Sequence, residues 1–138
     1  MQAKVTWHKG LTFTGTADSG YTLPLGGKKA VGGDEDGFVP MEMFLIGLAG
    51  CTGMDVISIL AKMKQDVTNF EVKIHANRVE THPKIFSDIM IEYVISGKNL
   101  DPKLVEKAVN LSETTYCPGQ AILNKTAKIE NKITILEV

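Results

Sequence analysis

The stretch that decides the fold is Pro-Met-Glu-Met-Phe-Leu-Ile-Gly-Leu-Ala-Gly-Cys-Thr-Gly-Met-Asp-Val-Ile-Ser-Ile-Leu, Pro40 to Leu60. Proline suits the first helical turn, where its missing N–H would have had no partner, and Glu42 complements the positive end of the dipole. On a helix, Phe44, Leu45, Leu48, Cys51, Met54, Val56, Ile57 and Leu60 go most of the way round. The pattern therefore predicts a long central helix buried on nearly all sides, by its own sheet and by a second copy of the chain. Gly47, Gly50 and Gly53 recur at spacing three and leave a shallow strip where another backbone can come close. The segment approaches a membrane span in length, but Glu42, Asp55 and the glycines interrupt it and no basic clusters flank it. A buried helix of a soluble protein is expected, with no membrane partner.

Working outward, the residues before this helix read as a meander. Gln2 to His8 and Leu11 to Ala17 alternate around a Lys9-Gly10 turn, and Asp18-Ser19-Gly20 leads into Tyr21 to Leu25. Gly26 to Phe38 reads as flexible loop, with Asp34, Glu35 and Asp36 as a solvated acidic run. After the helix, Phe70 to Glu80 and Phe86 to Ser96 are strands with clean alternation, joined by Thr81-His82-Pro83-Lys84. Asp101-Pro102 is a helix start with a capping aspartate, and Cys117-Pro118 breaks that helix and opens another, ending near Asn124. A last strand, Ala127 to Glu137, alternates except for an irregularity near Asn131. The class is α+β, with antiparallel sheets packed around the long helix as one domain over residues 1–138.

An apolar fraction of 43% in 138 residues is enough for one real core. The formal net charge of -1 gives no electrostatic reason for a nucleic-acid partner. The first seven residues alternate like a strand and lack the apolar core of an export signal. With two cysteines and no need of staples, the expected compartment is the reducing cytoplasm, where the pair are reactive thiols or plain buried ones. His8, His75 and His82 show no ligand spacing, and no glycine-rich phosphate loop opens a helix, so neither a metal nor a cofactor is expected.

The cysteines lie in contrasting places. Cys51 is in mid-helix, where a buried thiol tends to be held protonated, and Asp55 one turn on would oppose its ionisation. Cys117 sits at a helix break, where unsatisfied N–H groups would stabilise a thiolate. Local physics thus makes Cys117 the more acidic of the two. Glu42 and Asp55 are the candidate supporting acids, although Glu42, nine residues before Cys51, falls about half a turn out of phase with it.

Pro40-Met41-Glu42-Met43 opening an apolar helix that reaches Leu48-Ala49-Gly50-Cys51, with Tyr116-Cys117-Pro118 after two strands and a helix, resembles the osmotically inducible protein C (OsmC) and organic hydroperoxide resistance (Ohr) superfamily. The resemblance spans essentially the whole chain. It implies an intertwined homodimer with the active sites at its interface. It also implies that Cys51 is the nucleophile toward an organic hydroperoxide, that Cys117 is the resolving thiol, and that an external dithiol restores the pair. Where peroxidases of the superfamily carry glutamate after the helix-start proline, this chain has Met41, and its single arginine, Arg78, lies far from the N-terminal region that supplies theirs. Modest hydroperoxide reduction in oxidative-stress defence is the expectation. The alternative is a non-enzymatic dimer that senses oxidation or binds a hydrophobic small molecule in a pocket of Phe44, Met54 and Tyr116.

Overall fold

The computed structural model describes residues 1–138, which divide into two compact units, Met1–Ile46 and Gly47–Val138. The first unit is an antiparallel meander of β1 (Ala3–Lys9), β2 (Thr12–Ala17) and β3 (Thr22–Leu25), in that order. A register shift between Trp7 and Lys9 closes the first hairpin, and the Trp7 indole donates to the Gly10 carbonyl at 2.9 Å. The glycine-rich segment that follows is a loop with one 3-10 turn, Lys29–Val31, and its backbone is closely packed. Glu35 N–H donates to the Gly27 carbonyl at 3.0 Å, and a side chain at Gly33 would collide with that carbonyl. The acidic run is likewise tied down. Thr12 donates to Asp36 at 2.7 Å, and Lys9 pairs with Asp34 at 3.8 Å.

Helix α1 (Pro40–Lys62) starts in the first unit and continues in the second. Its opening turn is closed by Glu42, whose carboxylate accepts the Val39 N–H at 3.1 Å, the backward half of a capping box. The second unit continues with β4 (Asp66–Arg78), β5 (Phe86–Lys98), α2 (Pro102–Leu111), a wide π turn (Ser112–Tyr116), α3 (Pro118–Leu123) and β6 (Lys128–Glu137). Asp101 caps α2 as expected, accepting the Lys103 N–H at 2.9 Å.

The sheet order is β4-β5-β6, with β4–β5 antiparallel and β5–β6 parallel. The expectation of purely antiparallel sheets is corrected here. Two helices intervene between β5 and β6, and such a crossover returns the chain in the same direction. The expected irregularity near Asn131 is also absent, since the β5–β6 register runs unbroken from Asp88/Lys128 to Gly97/Glu137. Asn131 simply takes an apolar position in strict alternation with Ile129, Ile133 and Ile135, and its side-chain oxygen is buried without a partner.

The core of this unit is one face of that sheet, with Ile89, Ile91, Tyr93 and Ile95 fully buried, against Leu48, Val56 and Leu60 of α1 and Val105 and Ala108 of α2. The buried residues of α1 are Leu48, Thr52, Val56 and Leu60, a single stripe at spacing four. Within one copy of the chain the sheet covers only this face of the helix, the share of the expected burial that the chain's own sheet supplies. Met54 is 73% exposed and Ile57 is also open. Of the three glycines, only Gly53 has a neighbour where its side chain would be, Val72 at 3.3 Å. Although α1 is long and apolar enough to cross a membrane, its buried stripe is spent on packing inside the unit. Leu60→Ala is expected to lower stability by about 2–5 kcal/mol in urea unfolding, the usual cost of a cavity at a fully buried leucine.

Candidate active site

Cys51 lies at mid-length on α1, half-buried, and Cys117 is 3% exposed at the N-cap of α3. The local sequence explains the second position. The π turn ends at Tyr116, Cys117 adopts extended angles (φ -80°, ψ 104°), and Pro118 begins α3. The Cys117 sulfur accepts the Gln120 N–H at 3.4 Å, as a serine or aspartate cap would. The two cysteines converge on Gly119. A methyl group placed there would stand 3.6 Å from the Cys117 sulfur and 3.6 Å from the Cys51 β-carbon, with Leu48 closing the third side. The two cysteines are close neighbours, and both thiols are free.

The cap does not make Cys117 an acidic thiol. Burial pushes its thiol up to about 11, and the neighbouring Cys51 thiol adds to the rise. The N–H groups of Gln120 and Gly119 pull the other way without overcoming desolvation. With the sulfur sealed from water, the cap offsets only part of the desolvation cost. Folding thus favours the neutral thiol. That contribution is complete below the ordinary value of 9.0 and is lost as pH rises toward 11.

Beneath the sulfurs lies a set of polar groups that sequence reasoning missed. Thr52, Tyr93, Ser112 and Gln120 are all buried. The Thr52 hydroxyl is 2.7 Å from the Tyr93 hydroxyl and 2.8 Å from that of Ser112. Gln120 Nε2 donates to Thr52 at 3.2 Å and to Tyr93 at 3.3 Å. Ser112 donates to Asp55 Oδ2 at 3.0 Å. Burial raises the Tyr93 phenol to about 12, so it stays a neutral hydroxyl. The available signal was Thr52, a polar residue at the centre of the stripe Leu48, Val56, Leu60.

Asp55 is linked to this polar set through Ser112. Glu42 is occupied in capping the start of α1. Arg78 donates to the Lys84 carbonyl at 2.7 Å and braces the β4–β5 connection. Asp55 also lines a cleft of about 510 Å³ with Met54, Ser58, Lys62, Leu111 and Tyr116. Met54 and Tyr116 are thus where the expected pocket put them, and Phe44 does not line it.

This arrangement has relatives. The family model for OsmC-like protein matches residues 32–132. Protein YhfA of Escherichia coli strain K12 is 38% identical over 136 residues, covering 99% of this chain and 98% of its own. The chain belongs to the OsmC-like family. A hypothetical protein from Aquifex aeolicus is 28% identical with a TM-score of 0.87, over 99% of this chain and 96% of that one. The OsmC-like fold is also that of an organic hydroperoxide resistance protein from Legionella pneumophila. The TM-score there is 0.73 and the identity 18%, over 96% of this chain and 95% of that one.

Alkylation of Cys117 by iodoacetamide, followed by peptide mass in the reduced protein, is expected to keep rising about tenfold per pH unit between pH 9 and 10. An ordinary thiol approaches its plateau over that range.

Proposed function

We propose that this OsmC-like protein is a two-cysteine redox protein that reduces organic hydroperoxides with modest activity. The observation that carries the reading is the convergence of Cys51 and Cys117 on Gly119. Cys51, the more accessible sulfur, attacks the O–O bond as a thiolate, releasing the alcohol once the alkoxide takes a proton and leaving a sulfenic acid. The Cys117 thiol then displaces water from that sulfenic sulfur to form the disulfide. An external dithiol reduces the disulfide and is itself oxidised, which restores both thiols. Burial of Cys117 suits this order, since it protects the second thiol until the first has reacted. No carboxylate–guanidinium pair supports the first step, because Glu42 caps a helix and Arg78 braces a strand connection. That is the reason for the modest rate.

The 138 residues act as one OsmC-like domain, and the working form is a homodimer in the cytoplasm. Open apolar side chains in each unit support the dimer, Val5, Trp7 and Tyr21 in the first and Met54, Ile57 and Tyr116 in the second. A second reading, a non-enzymatic binder of hydrophobic small molecules with the thiols as sensors, is favoured by the cleft beside Met54 and Tyr116.

One equivalent of cumene hydroperoxide added to the reduced protein is expected to remove both free thiols and the mass of two hydrogens. Unchanged mass with both thiols free would refute the redox reading and leave the binding one. Gly119→Ala supplies a sharper check. Its methyl group makes only ordinary contacts and gains helix propensity, so stability should hold or rise by up to about 1 kcal/mol. The methyl nevertheless stands between the Cys117 sulfur and the Cys51 β-carbon, and disulfide formation should slow at least tenfold while oxidation of Cys51 continues.

A further inference from the structure

The polar groups beneath the cysteines have only one consistent arrangement of protons. Asp55, as a carboxylate, can only accept, and it takes the single hydroxyl proton of Ser112. Ser112 must then accept from Thr52, which commits the Thr52 proton. Thr52 has two lone pairs left, and these take the Tyr93 hydroxyl and one N–H of Gln120 Nε2. The second Nε2 proton goes to the Tyr93 oxygen. The reverse orientation of the Gln120 amide would set its oxygen against a threonine with no proton to give, so it is disfavoured. Every hydroxyl proton in the set is used, and all of them run toward Asp55.

This chain ends on the cysteine. The side chain of Gln120 is anchored at both Nε2 protons, and its backbone N–H is the donor on the Cys117 sulfur. At the other end, Thr52 directly follows Cys51 on α1. One hydroxyl therefore joins the helix that carries the first thiol to the cap that holds the second.

We propose that Asp55, Ser112, Thr52, Tyr93 and Gln120 form a directed hydrogen-bond chain that holds Cys117 in position for disulfide formation with Cys51. They are positioning residues and touch no substrate. The proposal rests on the redox reading for its purpose, but its geometry can be tested without peroxide. The titratable groups beside the Cys117 sulfur are Cys51 and Tyr93, with Glu113 acting more distantly through Tyr93. Cutting the chain at Thr52 replaces none of these groups, although the Tyr93 hydroxyl loses its acceptor.

The test uses the full-length protein with Thr52→Val, which keeps shape and removes the hydroxyl, and Thr52→Ser, which restores it. In a Cys51→Ala background, alkylation of Cys117 is measured against pH, with circular dichroism to establish folding. Thr52→Val is expected to slow alkylation about tenfold at pH 8 by moving the profile up about one unit, because the cap is no longer held on the sulfur. Thr52→Ser should lie within about twofold of the parent. An unchanged profile in folded Thr52→Val overturns the proposal.

Should that variant fail to fold, Asp55→Ala at the half-buried end of the chain decides by sign. Loss of a nearby negative charge alone would speed alkylation, whereas loss of the acceptor that directs the chain should slow it about threefold. Faster alkylation overturns the proposal. Disulfide formation with cumene hydroperoxide in the two-cysteine protein separates the two readings. Failure there in the parent removes the redox reading, and the alkylation profiles still judge the chain.

Discussion

The Thr52 hydroxyl is the interaction on which the second unit depends. It lies fully buried in the middle of an otherwise aliphatic stripe, where an unpartnered hydroxyl would cost about 1–3 kcal/mol. Its neighbours remove that penalty only if α1, β5, the π turn and α3 meet in one register, since each contributes a partner. Aliphatic packing tolerates sliding of one helix over a sheet face, and a set of short hydrogen bonds does not. Leu48, Val56 and Leu60 supply most of the burial around it. The threonine makes the packing unique.

That uniqueness matters because of what the same elements carry. Cys51 precedes Thr52, and Cys117 is capped by the amide of Gln120. The π turn has a corresponding role. A regular helix continued from α2 would leave no extended residue before Pro118, and its widening lets Cys117 drop out of helical geometry just there. The sulfur ends up sealed, and its ionisation is governed by desolvation. Helix-end chemistry is the weaker influence, although it was the one visible from the sequence.

The open apolar surface is the other side of the same economy. A three-stranded sheet covers one stripe of a helix, so α1 keeps Met54 and Ile57 in water within a single copy. The all-round apolar pattern from Phe44 to Leu60 describes more burial than the chain's own sheet provides. The strands of the first unit show a similar excess at Val5 and Trp7. These residues are the contact surface of the dimer proposed above.

Much was legible in the residues themselves. Pro40, Asp101 and the Cys117-Pro118 break marked the helix starts, because caps and prolines act within a turn of where they stand. Alternation marked the strands because side-chain direction repeats every two residues. The parallel return of β6 was not legible, since alternation carries no information on direction. Nor was the tight packing of the glycine loop, which depends on which backbone comes close. For the site, the sequence alone singled out Cys51 and Cys117 and placed each on its element. That the two meet around Gly119, that burial overrides the cap on Cys117, and that Thr52, Tyr93, Ser112 and Gln120 join beneath them was decided by the tertiary structure. The physical reason is that desolvation and hydrogen-bond satisfaction belong to a three-dimensional neighbourhood, and residues up to 68 positions apart in the chain become bonded neighbours only when it folds.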